Sequence, residues 1–285
     1  MRLDIISRIP EEQPRPTPLL FVHGMMHGAW CWDVHFLEYF ARHGFEAHAV
    51  DLRGHGTSAG RERLRWARIA DFVDDLACAV AQLRTPPVLI GHSMGGFVVL
   101  KYLERADAPA AILLSSPSPS GLWRTALRIA RRHPLAFARV NLTFSLLPVI
   151  ATAEMTREAF FSPELPDETL SGYREGMQDE SYRAFLDMVV LDLPKPREVR
   201  TPLLVLGAAR DNMLAPSEIE STARAYHARS DILPGVAHDS MLEAGWERVA
   251  ERMLGWLDAS VSKGAGEMSS TGWPRTHSRA RSRSR

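Results

Sequence analysis

Two cysteines in 285 residues are too few for a disulfide framework, so a stable fold here has to rest on a buried apolar core. Cys31 and Cys78 fall in separate helix-like segments and read as packing residues rather than as a bridge. No apolar run approaches the roughly 20 residues that a membrane-spanning helix needs. Residues 1–12 carry charges and a proline where a secretory signal would carry a long apolar stretch, so the expectation is a soluble, cytoplasmic protein. Clustered metal ligands are also missing. His23 and His27 stand four apart, but no glutamate lies between them as in a zinc-binding helix, and the neighbouring glycines disfavour a helix. Neither a metal nor a cofactor is expected.

What is present is length and alternation. A chain of this size can bury roughly three quarters of its unfolded surface in one large domain. Apolar strand-like runs near 19–23, 46–51, 87–92 and 110–115 alternate with helix-like stretches near 30–43, 70–84 and 94–105. That order predicts the α/β class, with a mostly parallel open sheet covered by helices on both faces. In 70–84, Phe72, Val73, Leu76, Ala77, Val80 and Leu83 form an apolar stripe, while Asp71, Asp74 and Asp75 near its start favour the helix dipole. The alternation breaks at Ser-Pro-Ser-Pro-Ser-Gly (116–121) and resumes after Leu-Pro-Lys-Pro (193–196). Between those marks the spacing predicts only short helices, near 122–130, 135–147, 155–161, 169–177 and 182–191. Residues 1–116 and 197–260 are therefore expected to form the core, and 117–196 an inserted helical cap.

The chemistry centres on Val-Leu-Ile-Gly-His-Ser-Met-Gly-Gly (88–96), where a buried strand run gives way to a helical pattern. A strand turning sharply into a helix holds its turn residue strained and exposed, and glycines at 91 and 95 let the two elements approach. Ser93 is thus a candidate nucleophile. A serine hydroxyl needs an imidazole base and an acid to orient it. A later strand run, Thr201–Gly207, delivers Asp211 in its C-terminal loop, and His238 follows a last short strand ending at Gly235. Serine, acid and histidine in this order fit residues riding on successive strand ends of one sheet. Asp239 is the rival acid, but as the neighbour of His238 in sequence it could hardly reach the far ring nitrogen. His92 adjoins the nucleophile and is expected to point away from it.

Acyl transfer also needs donors for the oxyanion. The strand run 19–22 breaks into His-Gly-Met-Met-His-Gly (23–28), and this bend is expected to free the Met25 N–H for that purpose. The Met94 N–H, directly after Ser93 at the helix start, supplies the second donor. Gly24, Trp123 and Met213 are expected beside the substrate. The 117–196 segment is rich in large apolar side chains, suggesting an apolar substrate portion, and its Arg124, Arg128, Arg131 and Arg132 suit an anionic lipid surface or a phosphate headgroup.

Together these residues resemble the α/β-hydrolase family, in particular its esterase, lysophospholipase and monoacylglycerol-lipase-like members with Gly-His-Ser-Met-Gly-Gly elbows. The resemblance covers most of residues 1–260. His23-Gly24 matches the family's oxyanion loop, and Asp51-Leu-Arg-Gly-His-Gly-Thr-Ser58 matches a loop whose part is architectural. His27-Gly-Ala-Trp-Cys-Trp32 is similar to plant methylesterase and hydroxynitrile-lyase relatives, although no lysine near His238 stands ready for lyase chemistry. The family's N-terminal hairpin is shortened here, since only Leu3–Ile9 precedes a polar stretch, and its first strand can be missing. The resemblance implies a serine hydrolase acting on a small-molecule carboxylic ester. A lactone, thioester, amide or C–C bond, or peracid formation, fits the same three residues; a ligand-binding receptor or scaffold with little turnover is the reading outside enzymes.

The net charge is zero but unevenly spread. Residues 261–285 hold Lys263 and five arginines against Glu267, and their Ser/Arg-rich composition predicts disorder. Such a tail suits a solvated terminus more than an arm that binds nucleic acid or a membrane surface.

Overall fold

The structure is a computed structural model that describes residues 2–12 and 14–264. Seven strands form one sheet in the order β1-β3-β2-β4-β5-β6-β7. They are β1 (Ile5–Arg8), β2 (Leu19–Val22), β3 (Ala47–Val50), β4 (Val88–His92), β5 (Ala111–Leu114), β6 (Leu203–Ala208) and β7 (Arg229–Leu233). All neighbours run parallel except β1, which pairs antiparallel with β3, Ile5 opposite Val50. The shortened N-terminus therefore keeps its first strand. Its apolar residues Ile5 and Ile6 form too short a run to mark a strand, because at the sheet edge it needs only half burial.

Side chains alternate across each strand and so divide the core in two. Leu19, Phe21, Ala47, Ala49, Ile90 and Ile112 face one layer, shared with α1 (Trp30–Asp33), α2 (Phe36–Arg42) and the C-terminal helix. Leu20, Val22, Val50, Leu89, Leu113 and Val205 face the other, shared with α3 (Ile69–Gln82) and α4 (Met94–Leu103). The helix expected over 30–43 is broken at Val34–His35. In α3, Ala79 rather than Ala77 joins the buried stripe, and Cys78 is exposed rather than packed. Asp75 is buried, where it meets Arg53 (2.8 Å).

Between β5 and β6 there are only helices: α5 (Trp123–Arg132), α6 (Pro134–Thr143), α7 (Ala153–Phe160), α8 (Asp167–Gly176) and α9 (Tyr182–Leu186), with short 3-10 and π turns. After β6 come α10 (Pro216–Ala225) and α11 (Trp246–Gly264). The last helix runs four residues beyond the expected boundary at 260. The remainder of the expected tail, 265–285, lies outside the described residues. Among the described residues no helix is long and apolar enough to cross a membrane.

Candidate active site

Ser93 links β4 to α4 with a left-handed backbone, φ 49° and ψ −120°. A serine adopts this only where its surroundings enforce it. Here they are backbone: a Cβ at Gly95 would meet the Val22 carbonyl oxygen at 2.2 Å, and one at Gly91 the Gly95 oxygen at 2.5 Å. The Ser93 N–H donates to the Leu114 carbonyl (2.9 Å), which ties the turn to the neighbouring strand.

The loops after β6 and β7 bring the two partners to the same end of the sheet. His238 Nε2 lies 3.0 Å from Ser93 Oγ, and His238 Nδ1 lies 2.8 Å from Asp211 Oδ2. The other Asp211 oxygen accepts the Met213 and Leu214 N–H groups (2.7 and 2.8 Å), so both carboxylate oxygens are engaged. A carboxylate held this way fixes Nδ1 as the protonated nitrogen and turns the Nε2 lone pair toward the serine. Burial alone would lower the His238 pKa; the Asp211 charge and hydrogen bond override it and raise the pKa above 6.5.

Asp239 points elsewhere, toward His27 and His92. Its Oδ2 lies 3.0 Å from His27 Nε2 in an ion contact without hydrogen-bond alignment, and its Oδ1 lies 3.5 Å from His92 Nε2. Burial would raise the Asp239 pKa, but His27 holds it below its ordinary value; Asp239 conversely overcomes the burial of His27 and raises that pKa. His27 Nδ1 also faces the Met25 carbonyl (2.7 Å). His92 does not point away from the site. It donates from Nε2 to the His238 carbonyl (3.0 Å) and lines the same cavity, and burial together with His238 pushes its pKa down to about 3, so it is neutral.

The loop 23–28 faces Ser93. Among the described residues neither the Met25 nor the Met94 N–H has a protein acceptor. His23 Nδ1 meets the Gly24 carbonyl (2.8 Å), while its Nε2 accepts from the Leu52 N–H (3.2 Å). Met26 is left-handed (φ 66°) and held on both sides by the helical segment: its N–H donates to Glu180 Oε2 (3.1 Å), and its carbonyl accepts from the Gln178 N–H (3.0 Å). Glu180 Oε2 also meets His55 Nε2 (3.0 Å), and both side chains are fully buried. The Asp51–Ser58 loop is tied internally: Asp51 accepts from Ala29 N–H (2.6 Å), and the Ser58 hydroxyl donates to the Asp51 carbonyl (2.7 Å). Neither Glu180 nor the partnership of His27 with Asp239 was foreseeable from local sequence, for their partners lie far along the chain.

A narrow cavity of about 60 Å³ opens over the Ser93 hydroxyl. Met25, Met26, Leu122, Thr125, Ile129, Leu146, Val149, Phe160, Phe185, Met213 and Leu214 line it together with His92, Ser93, His238 and Asp239, so its walls are mostly apolar outside the polar cluster beside Ser93. Met213, expected beside the substrate, is among these lining residues. Gly24 packs beneath, its missing Cβ leaving room for His92 and Ser93. Trp123 is not in the lining: at the outer start of α5 it is 47% exposed, with Arg124 over its ring. A larger cleft of about 670 Å³ reaches Asp211 but touches neither Ser93 nor His238. The one cluster of potential metal ligands among the described residues, His92, His238 and Asp239, uses side chains already engaged: His238 with Ser93 and Asp211, Asp239 with His27, and His92 with the His238 carbonyl.

A parallel sheet with a serine on the β4–α4 elbow and a histidine and an acid on later strand ends defines the α/β-hydrolase class. Residues 19–252 match the Alpha/beta hydrolase family, and the chain belongs to it. It is similar to the monoacylglycerol lipase of Mycolicibacterium smegmatis, 32% identical over 115 residues that cover 38% of this chain and 40% of that protein. A longer match, 26% identical over 210 residues, covers 70% of this chain and 78% of the phospholipase YtpA of Bacillus subtilis. The fold also superposes on a thermophilic esterase from Thermogutta terrifontis with a TM-score of 0.66 at 22% identity, covering 90% of this chain and 93% of that one.

Proposed function

We propose that the chain is a serine hydrolase that cleaves a small-molecule carboxylic ester with an apolar acyl or alcohol portion through an acyl-enzyme. The observation that carries the reading is the unbroken relay Ser93 Oγ, His238 and Asp211, at 3.0 and 2.8 Å, beneath an apolar cavity. In this reading His238 Nε2 takes the hydroxyl proton as Ser93 Oγ bonds to the ester carbonyl carbon. The Met25 and Met94 N–H groups hold the resulting oxyanion. The C–O bond to the alcohol then breaks, and the alcohol leaves with the proton from His238. Water, deprotonated by the same nitrogen, releases the acid and restores Ser93. Asp211 keeps the ring in the needed tautomer throughout and balances the imidazolium.

The helices of 117–196 act in this proposal as a cap on the core formed by 1–116 and 197–260. Seven cavity residues from Leu122 to Phe185 come from that segment, so it sets the substrate's shape and excludes water. The names of the lipid-ester relatives agree with an apolar substrate. A cytoplasmic site of action belongs to the same reading, supported by Cys31 and Cys78 both being free thiols. The test is labelling by a fluorophosphonate probe followed by mass spectrometry, beside hydrolysis of p-nitrophenyl esters of increasing chain length. An adduct on Ser93 and turnover that peaks at one acyl length are the expected results. A folded protein that takes no label and turns over no ester would instead be a binder.

A further inference from the structure

From Ala108 to Ala153 the chain contains no aspartate or glutamate and five arginines: 124, 128, 131, 132 and 139. Two of them are partnered from outside this stretch, Arg128 by Glu218 (3.0 Å) and Arg132 by Glu158, which His133 also meets. Arg124, Arg131 and Arg139 are exposed and form no ion pair among the described residues. Large apolar side chains stand between them in water. Leu135 and Leu142 are each 79% exposed, Trp123 47%, Phe144 41% and Leu127 40%. On α5 the exposed residues 123, 124, 127 and 131 recur at three- and four-residue spacing and so share one face; on α6, Leu135, Arg139 and Leu142 do the same.

We propose that this outer face of α5 and α6 docks on an anionic lipid bilayer. Phosphate headgroups would take the free guanidinium groups while the leucines and aromatics enter the headgroup and acyl boundary. A second copy of the chain is a poor occupant, because two faces of the same positive charge would be opposed. A nucleic acid offers the arginines phosphates but gives Leu135 and Leu142 nothing apolar to cover them. The placement also has a use. The other side of α5 sends Thr125 and Ile129 into the Ser93 cavity, and an adjoining cavity of about 230 Å³, edged by Arg131, shares Ile129, Val149 and Met213 with it. A lipid leaving the bilayer would thus pass the arginines on its way to the serine. That last step rests on the proposed hydrolase chemistry; the docking itself does not.

The experiment is sedimentation of the full chain with phosphatidylcholine vesicles containing or lacking phosphatidylglycerol. The wild type is expected to bind the anionic vesicles and to release them in high salt. Leu135→Glu combined with Leu142→Glu should weaken this binding at least tenfold while leaving hydrolysis of a short water-soluble ester unchanged. Each of Arg124→Ala, Arg131→Ala and Arg139→Ala should weaken it about fivefold. Failure of the wild type to bind, or undiminished binding by the double glutamate variant, overturns the proposal, the latter because the basic C-terminal tail would then account for the affinity. A wild-type dimer that the glutamates convert to a monomer would overturn it in favour of a second copy. Ser93→Ala should bind vesicles like the wild type, so a protein that docks but cleaves no ester would refute the hydrolase reading and leave the docking intact.

Discussion

Around the Ser93 elbow, backbone packs on backbone; where the helices of 117–196 meet the core, side chains make most of the contact, beside two backbone bonds, Gln178 N–H to Met26 and Asp239 N–H to Phe160 (both 3.0 Å). A Cβ at Gly95 would collide with two carbonyl oxygens, of Val22 at 2.2 Å and His23 at 2.5 Å, and neither can swing aside as a side chain would. The helical segment is joined to the core by separable polar bonds: Glu180 to Met26, Ser162 to Glu243 (2.5 and 2.7 Å), and Asp187 to the Ile69 N–H (3.1 Å). Close packing leaves Ser93 little room to move. The cavity wall is held by apolar side chains such as Phe160, Phe161 and Met188 that share the core with the sheet, and by a few buried hydrogen bonds that can be removed one at a time.

Several substitutions sharpen or break that contrast. Ser93→Ala should lower ester turnover on the order of 10⁶-fold with the far-ultraviolet spectrum unchanged, the usual loss where three groups act as a unit. Asp211→Asn should cost about 10⁴-fold. The pH profile gives its sign: His238 must be neutral to accept the proton, and Asp211 raises its pKa, so the acid limb of kcat/KM should lie above pH 6.5 in the wild type and move down in the variant. Gly95→Ala should destabilise by about 3 kcal/mol or more in urea unfolding, because the added methyl displaces backbone. Tolerance of alanine there would show the elbow to be softer than its contacts imply.

On the helical side, Glu180→Ala strips the Met26 N–H and His55 of a buried acceptor, a loss of about 1–3 kcal/mol. Since Met26 follows the proposed oxyanion donor, kcat should fall roughly tenfold or more at nearly constant KM. A rise in KM alone would mean that Glu180 shapes the cavity instead. The smallest effect is expected at Gly172, on the exposed side of α8, where an added Cβ meets nothing within 4 Å. Gly172→Ala should stabilise by about 0.5–1 kcal/mol in the same unfolding assay, opposite in sign to Gly95→Ala.

What the sequence disclosed follows the same division. Buried parallel strands are continuous apolar runs, and the sharp turn between Gly91 and Gly95 is written in consecutive residues, so the parallel sheet and the address of Ser93 could be read directly. The helical character of 117–196 was also legible from its punctuation by proline. Which way its side chains face was not. Trp123 opens a helix in which arginines and apolar residues are interleaved, and periodicity alone leaves open which side meets the core. β1 escaped because the Ile5-Ile6 pair of a half-buried edge strand is too short a run to stand out. The pairing of His27 with Asp239, and of Glu180 with Met26, joins residues that no local pattern connects.

Adjacent parallel strands can be bridged by a single crossover helix, yet β5 and β6 are joined through the whole stretch from Ser115 to Pro202. Both ends of that excursion are anchored in neighbouring strands inside the sheet, Ile112 opposite Leu204. It can therefore be lengthened, shortened or exchanged between relatives while the strand register holding Ser93 stays put. In the proposed reading, where this excursion shapes the substrate cavity, the shortest route to a new specificity for this chain is a transplant between residues 115 and 202 with the elbow left untouched.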